Sequence, residues 1–188
     1  AVIYDSLELS QFDMFKDEIP KLRSIAEEHH LGKIKMSHRL MDGDLLHNIK
    51  KSIKEDKIDF VIMGTSGSTG WDAFFIGSNT GSVISGIDVP MLCIPAEAKF
   101  KKIEIIGFTT RFRPKDKKAL KMVLEIAKKT KAKVKCLYVK TSKSDVSDDT
   151  VAKWEEEFIN EPIDFYVVMS EEVKETILDF IMYKEVDI

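Results

Sequence analysis

The sequence predicts a doubly wound parallel α/β sheet, and three observations carry that prediction. Apolar strand-like runs alternate with segments of helical periodicity along the 188-residue chain. The run Ile58–Met63 is apolar on both faces, as expected of a central strand in a parallel sheet. The third observation is an internal repeat at a constant offset of 128, in which Ile49, Ile53, Ile58 and Asp59 recur as Ile177, Ile181, Val186 and Asp187. A repeat of domain size indicates two copies of one domain rather than a solenoid.

The first copy is expected to contain three helices and the later strands of its sheet. Apolar residues at helical spacing predict its first helix, where Pro20 either kinks the helix or marks its true first turn. Asp44 is the expected N-cap of the second helix. The elements in order are a strand tail at Ala1–Tyr4, helix Met14–His29, strand Lys33–Leu40, a helix from Asp44 to about Glu55, strand Ile58–Met63, helix Ser78–Ser85 and strand Met91–Ile94.

The second copy begins after the linker Pro95–Lys99, so the predicted domains are residues 1–97 and 98–188. Its elements in order are strand Ile103–Phe108, helix Lys115–Thr130, strand Val134–Val139, helix Asp149–Asn160, strand Phe165–Met169 and helix Glu171–Tyr183. The two sets of strands could close one composite sheet, with Ile103–Phe108 beside Phe60–Met63, or form two separate half-domains. We expect the composite, because half a sheet would expose a large apolar surface.

Composition excludes several classes of function. A net charge of −3 gives no basis for a nucleic-acid or membrane-surface partner, and no apolar run reaches the length of a membrane span. The N-terminus has no signal-peptide pattern, and Cys93 and Cys136 lie far apart in apolar runs, which favours reduced thiols and a cytoplasmic location. The four histidines do not form a cluster with metal-ligand spacing, so no metal site is expected.

The glycine-rich segment after strand Ile58–Met63 is the strongest functional signal. Gly64, Gly67, Gly77 and Ser78 have the pattern G-x2-G-x9-G-S, and Ser78 opens a predicted helix. Glycines let the backbone approach a ligand closely, and a helix N-terminus favours an anion. The pattern is neither a Walker A loop nor a dinucleotide fingerprint. A tight strand-to-helix turn, with Ser78 acting only as a cap, is the alternative interpretation.

In its context this motif resembles the universal stress protein family. Nucleotide-binding members carry the same pattern after the fourth strand of a five-stranded parallel sheet, in the adenine-nucleotide alpha-hydrolase-like fold. The flanks Ile58–Met63 and Val89–Pro95 resemble the family's fourth and fifth strands, and Phe100–Thr110 resembles the first strand of another copy. The resemblance therefore implies a tandem form that is truncated at both ends.

The resemblance implies ATP, with or without magnesium, as the ligand of the first copy. The cofactor-binding residues that it implies are Met63, Gly64, Gly67, Gly77, Ser78, Asn79 and Thr80. Met63 could pack on the nucleoside or belong only to the strand core. Family members that bind ATP also use an aspartate at the end of the first strand, and the second copy has Thr110 at that position. This departure weighs against nucleotide binding by the second copy.

The expected function is a nucleotide-binding stress-response or regulatory module. No dedicated general base is visible, so no catalytic residue is named and at most weak ATP hydrolysis is expected. The alternative is a structural or dimerisation module of the same fold whose loop binds nothing. In many relatives the fifth strand pairs with its counterpart in a partner domain, so we expect a homodimer through Val89–Ile94, an apolar strand that would otherwise be an exposed edge.

Overall fold

Five strands form two parallel sheets in the part of this computed structural model that is described, namely residues 16, 18–37, 39–65, 78–95 and 97–188. The chain divides into two compact units, Ala1–Ala98 (unit 1) and Lys99–Ile188 (unit 2). Helices alternate with the parallel strands in both units, which confirms the predicted α/β class.

The described residues of unit 1 form a two-stranded parallel sheet and three helices. Helix α1 includes residues 18–28, and helix α2 spans Leu45–Asp56. Strand β1 (Val61–Thr65) pairs with strand β2 (Met91–Pro95), and helix α3 (Ser78–Gly86) lies between them in the chain. As the sequence predicts, Asp44 caps α2, because its Oδ1 accepts a hydrogen bond from the N–H of His47 at 2.7 Å.

Unit 2 contains a three-stranded parallel sheet in the order β3-β4-β5, and a helix connects each strand to the next. Its elements in order are β3 (Ile105–Thr109), α4 (Pro114–Thr130), β4 (Lys133–Lys140), α5 (Asp148–Glu157), β5 (Ile163–Met169) and α6 (Val173–Tyr183). After α6 the chain returns to the free edge of β3. There the N–H of Asp187 donates to the Ile105 carbonyl at 2.9 Å, and the N–H of Gly107 donates to the Ile188 carbonyl at 2.7 Å.

The core of unit 2 lies between the sheet and helices α4 and α5. Leu120 of α4 and Val134 of β4 are fully buried. Phe112 packs edge-on against Tyr138 and Trp154, with ring centroids 5.3 and 5.0 Å apart. Such edge-to-face pairs add to the free energy gained by burying the rings. This aromatic cluster fixes the segment that links β3 to α4, which is where the polar cavity described below is found.

Two sequence predictions about the sheets are wrong. The described residues of Lys33–Leu40 form no strand and lie in neither sheet; the strand tail expected at Ala1–Tyr4 lies outside the described residues. The composite sheet is also wrong, because β3 pairs with β4 on one edge and with Asp187 and Ile188 on the other. Neither edge of β3 is left for residues 60–63, since a strand has only two hydrogen-bonding edges.

Candidate functional site

The glycine motif begins at the carboxyl end of β1. Met63 and Gly64 pair in register with Cys93 and Ile94 of β2, and the Thr65 hydroxyl lies 3.5 Å from the Ile94 carbonyl oxygen. In open parallel α/β sheets, ligands bind beyond the carboxyl ends of the strands. The fold therefore places the first motif glycine at the edge of the sheet where a ligand is expected.

Gly64 is not required by the local packing of the described residues. A Cβ atom built there would meet no described heavy atom within 4 Å, and its φ angle lies outside the left-handed region. A glycine that is needed for a strained turn has a left-handed φ angle, and a glycine that is needed for a tight contact has another atom close to the position of a Cβ. Close approach of a ligand to the backbone is one physical reason for a glycine at such a place.

Helix α3 supplies the second part of the motif. Ser78 is its first residue, so the helix begins where the sequence predicts. Ser78 and Asn79 are exposed, whereas Thr80 is only 4% exposed and belongs to the packed side of the helix. The hydroxyl of Ser82 donates to the Ser78 carbonyl at 2.8 Å. Ser78 and Asn79 are thus the residues of this helix start that a solvent-borne ligand can reach.

The structure describes the positions of five of the seven sequence-predicted site residues. Met63 and Gly64 lie on β1, and Ser78, Asn79 and Thr80 lie in the first turn of α3. Gly67 and Gly77 lie outside the described residues.

Unit 2 has a cavity of about 510 Å³ at the carboxyl ends of β3 and β4. The cations that line it are Arg111, Arg113 and Lys115, and none of them forms an ion pair with any residue in the described part of the chain. Thr109 and Thr141 add hydroxyl groups to its wall. An open cavity with cationic and hydroxyl walls at this edge of a parallel sheet favours an anionic ligand.

Thr110, which stands where the resemblance expects an aspartate, is part of a closed hydrogen-bond network. Its hydroxyl contacts Asp116 Oδ2 at 3.1 Å and accepts a hydrogen bond from the N–H of Phe112 at 2.8 Å. The same Asp116 oxygen accepts from the N–H of Arg111 at 2.9 Å. A carboxylate from the first turn of α4 therefore reaches the end of β3, but the backbone and Thr110 already engage it.

Sequence reasoning missed both the cavity and the role of Asp116. The sequence contains a pattern that could have indicated the role of Asp116, because an acidic residue three positions after the N-cap of a helix is typical of a capping box. Asp116 lies three residues after Arg113, and Pro114 begins the helix. The three basic residues in the same short segment would then have indicated an anion-binding loop.

Other candidate groups lead to no site within the described residues. No group of three or more His, Cys, Asp or Glu side chains there could hold a metal ion. The acidic residues near the start of α5 form surface ion pairs, Asp148 with Lys140 and Asp149 with Lys153. None of the helices in the described ranges is both long enough and apolar enough to cross a membrane.

Comparison with known proteins agrees with the sequence resemblance. Residues 4–95 match the universal stress protein family model. The fold is similar to that of a universal stress protein from Archaeoglobus fulgidus DSM 4304, solved by crystallography, with a TM-score of 0.69 and 18% sequence identity. That match covers 93% of this chain and 65% of the crystallised chain. A search of curated protein sequences found no match. Over residues 4–95, this chain is similar to the universal stress protein family.

Proposed function

We propose that this chain is a nucleotide-binding regulatory module of a stress response, and that it binds the phosphates of ATP at Gly64–Ser78. The proposal is one of binding rather than catalysis, and it assigns no catalytic residue. The family match includes the whole glycine motif, and the motif begins at the carboxyl end of β1.

The observation that carries the proposal is the open position of Gly64. No described atom and no strained backbone angle accounts for a glycine there. A phosphate near this position could approach the backbone closely, while the free N–H groups at the start of α3 would favour its negative charge. Ser78 and Asn79, both exposed, would supply side-chain donors.

The cationic cavity of unit 2 is a weaker candidate for the same ligand. It has three cations without ion pairs in the described part of the chain, but it lacks a glycine loop. Its Thr110 replaces the expected aspartate, and Asp116 is already engaged by Thr110 and the backbone. We therefore assign the nucleotide to unit 1 and expect the unit 2 cavity to contribute little to ATP affinity.

A structural module that acts by dimerisation is the alternative function. The observation that favours it is the outer edge of β2, which pairs with no strand among the described residues. An unpaired strand edge presents backbone groups that can pair with another chain. The two functions are compatible, because association would use β2 and nucleotide binding would use the loop after β1.

Titration calorimetry with ATP tests the assignment. Gly64→Val should abolish detectable binding while leaving the fold intact, because its Cβ meets no described atom. Gly32→Ala is the matched control in the same unit, since its Cβ would touch only the flexible side chain of Glu27, at 3.3 Å. Unchanged ATP affinity in Gly64→Val, with loss of binding in Arg111→Ala/Arg113→Ala, would move the site to unit 2.

A further inference from the structure

The cavity of unit 2 combines a charged wall with an apolar wall. Every residue that lines it belongs to unit 2 and lies within the described ranges. The charged wall contains the three cations named above, and Val139 of β4 with Val173 and Ile177 of α6 supply apolar side chains. A volume of about 510 Å³ is within the range of sites for small organic ligands, and it is larger than a single inorganic ion needs.

The loop between β3 and α4 holds two of the cations at the cavity. Phe112 is only 7% exposed and packs against the core rings, whereas Arg111 and Arg113 on either side of it are exposed. Oδ2 of Asp116 accepts hydrogen bonds from the N–H groups of both arginines, at 2.9 and 3.3 Å. The backbone of the loop is therefore fixed before a ligand arrives, which lowers the entropy cost of binding.

The charge of the cavity wall matches that of a dianion. Its charged side chains are the three cations and Asp116, so the wall has a net charge of +2. A phosphate monoester carries about 1.5 to 2 negative charges at neutral pH. Arginine binds phosphate oxygens through paired hydrogen bonds, and lysine adds a point charge. The hydroxyl of Thr109, which forms no hydrogen bond with a described residue, is a further donor.

The same cavity offers little to the adenosine part of a nucleotide. Thr110 replaces the aspartate that the resemblance expects, and its hydroxyl is engaged by Asp116 and by the N–H of Phe112. Gly107 is the only glycine in residues 98–188, so the sequence of unit 2 contains no glycine loop. These features favour an organic phosphate that has no nucleobase.

We propose that unit 2 binds a small organic phosphate without a nucleobase, at a site separate from the nucleotide site proposed for unit 1. The phosphate group contacts Arg111, Arg113 and Lys115, and the carbon body of the ligand packs on the apolar side chains of β4 and α6. The two units then have different ligands, although their sequences contain the same repeat.

Titration calorimetry of the full chain with phenyl phosphate tests this site. We expect one molecule to bind per chain. Phenyl sulfate has the same ring but one negative charge fewer, and it should bind about tenfold more weakly. Inorganic phosphate lacks the apolar body and should also bind more weakly than phenyl phosphate. The first comparison measures recognition of the charge, and the second measures packing of the body.

Variants of the cavity wall locate the bound phosphate. Arg111→Ala/Arg113→Ala should weaken the binding of phenyl phosphate at least about tenfold. Thr109→Val removes a hydroxyl but keeps the shape of the side chain, and it should weaken binding roughly threefold. Lys118→Ala/Lys129→Ala is the matched control and should bind normally, because it removes the same charge from exposed positions of α4 that do not line the cavity. Circular dichroism shows whether each variant is folded.

Excess ATP should not displace phenyl phosphate, and Gly64→Val should bind phenyl phosphate normally, because the proposed nucleotide site lies in unit 1. Failure of ATP binding and failure of phosphate binding are therefore measured independently. The phosphate site would be overturned by absent binding, by equal affinity for either of the other two anions, or by unchanged affinity in Arg111→Ala/Arg113→Ala. Displacement by ATP would also overturn it, because phenyl phosphate would then occupy a nucleotide site.

Discussion

Asp187 and Ile105 are joined by two hydrogen bonds, one through the backbone and one through the side chain. The N–H of Asp187 donates to the Ile105 carbonyl, and the Asp187 carboxylate accepts from the Ile105 N–H, both at 2.9 Å. The contact ties the end of the chain to the first strand of unit 2 across 82 residues. It also fixes the strand order, because the segment after α6 can lie only on the edge of β3 that β4 leaves open.

The first prediction concerns the acid stability of this contact. The Lys101 ammonium, followed by the N–H groups of Glu104 and Ile105, lowers the pKa of the Asp187 carboxyl from 3.8 to about 2. Because the folded pKa is the lower one, the stabilisation is complete above the unfolded pKa and is lost as the pH falls through about 2. Asp187→Asn should lower the free energy of unfolding by about 2 kcal/mol at pH 7.

Urea denaturation of both proteins between pH 2 and 7 measures this difference. The gap between wild type and Asp187→Asn should be constant from neutral pH down to about pH 4 and then narrow. Asp149→Asn is the control, because its ion pair with Lys153 is exposed and should contribute little. A gap that does not change with pH would contradict the assigned role of the Asp187 charge.

The second prediction compares two glycines of the parallel strands. A Cβ at Gly107 would lie 2.9 Å from Cγ1 of Val186, whereas a Cβ at Gly64 would meet no described atom. Gly107→Ala should therefore destabilise the chain by roughly 1–3 kcal/mol, and Gly64→Ala should change stability by less than about 0.5 kcal/mol. Thermal denaturation measures both variants. Equal destabilisation would mean that Gly64 has a packing role, and its open position would then no longer support a ligand site there.

The sequence allowed most of the fold to be predicted because local signals and tertiary structure agree in most elements. Asp44 caps α2 as expected, and the predicted helix Lys115–Thr130 differs from α4 by one residue. The prediction of a strand at Lys33–Leu40 was wrong because the pattern of apolar residues does not show whether a neighbouring strand is available for pairing. The composite sheet was predicted because it would bury more apolar surface. That reasoning could not reveal that Asp187 and Ile188 occupy the free edge of β3.

The candidate site was predictable only in part. The glycine pattern located Gly64 and the start of α3 from spacing alone, but it could not show that Thr80 is buried. The cavity of unit 2 depends on the Phe112 cluster, which folds the Arg111–Arg113 segment over the end of the sheet. Contacts of this kind join residues that are distant in sequence, so the local pattern around Asp116 could indicate the loop but not the cavity beside it.

The third prediction concerns the two thiols. Burial raises the pKa of Cys136 to about 12, and it raises the pKa of the partly buried Cys93 as well. At pH 8 a thiol-specific reagent should modify Cys93 at least roughly tenfold faster than Cys136, because the thiolate is the reactive form and Cys136 is 1% exposed. Cys93→Ser should remove the faster phase. Two equal rates in the native protein would contradict the assigned burial of Cys136.

The fourth prediction concerns association through β2. The N–H of Val61 donates to the Pro90 carbonyl, so the alternation of a parallel ladder directs the N–H of Leu92 towards β1 and that of Cys93 towards the open edge. Cys93→Pro would remove only the outward donor. Light scattering at micromolar concentration should show a wild-type dimer and a monomeric Cys93→Pro. A wild-type monomer would argue against association through this strand.

Photoaffinity labelling with an azido derivative of ATP tests whether the segment after β1 binds ATP, as we propose. Trypsin releases residues 58–99 as one peptide, because no Lys or Arg interrupts it, and residues 103–111 as another. Mass spectrometry should find the label in the peptide of residues 58–99, with protection by excess ATP and loss of labelling in Gly64→Val. Labelling confined to residues 103–111, or labelling that excess ATP does not reduce, would contradict the claim.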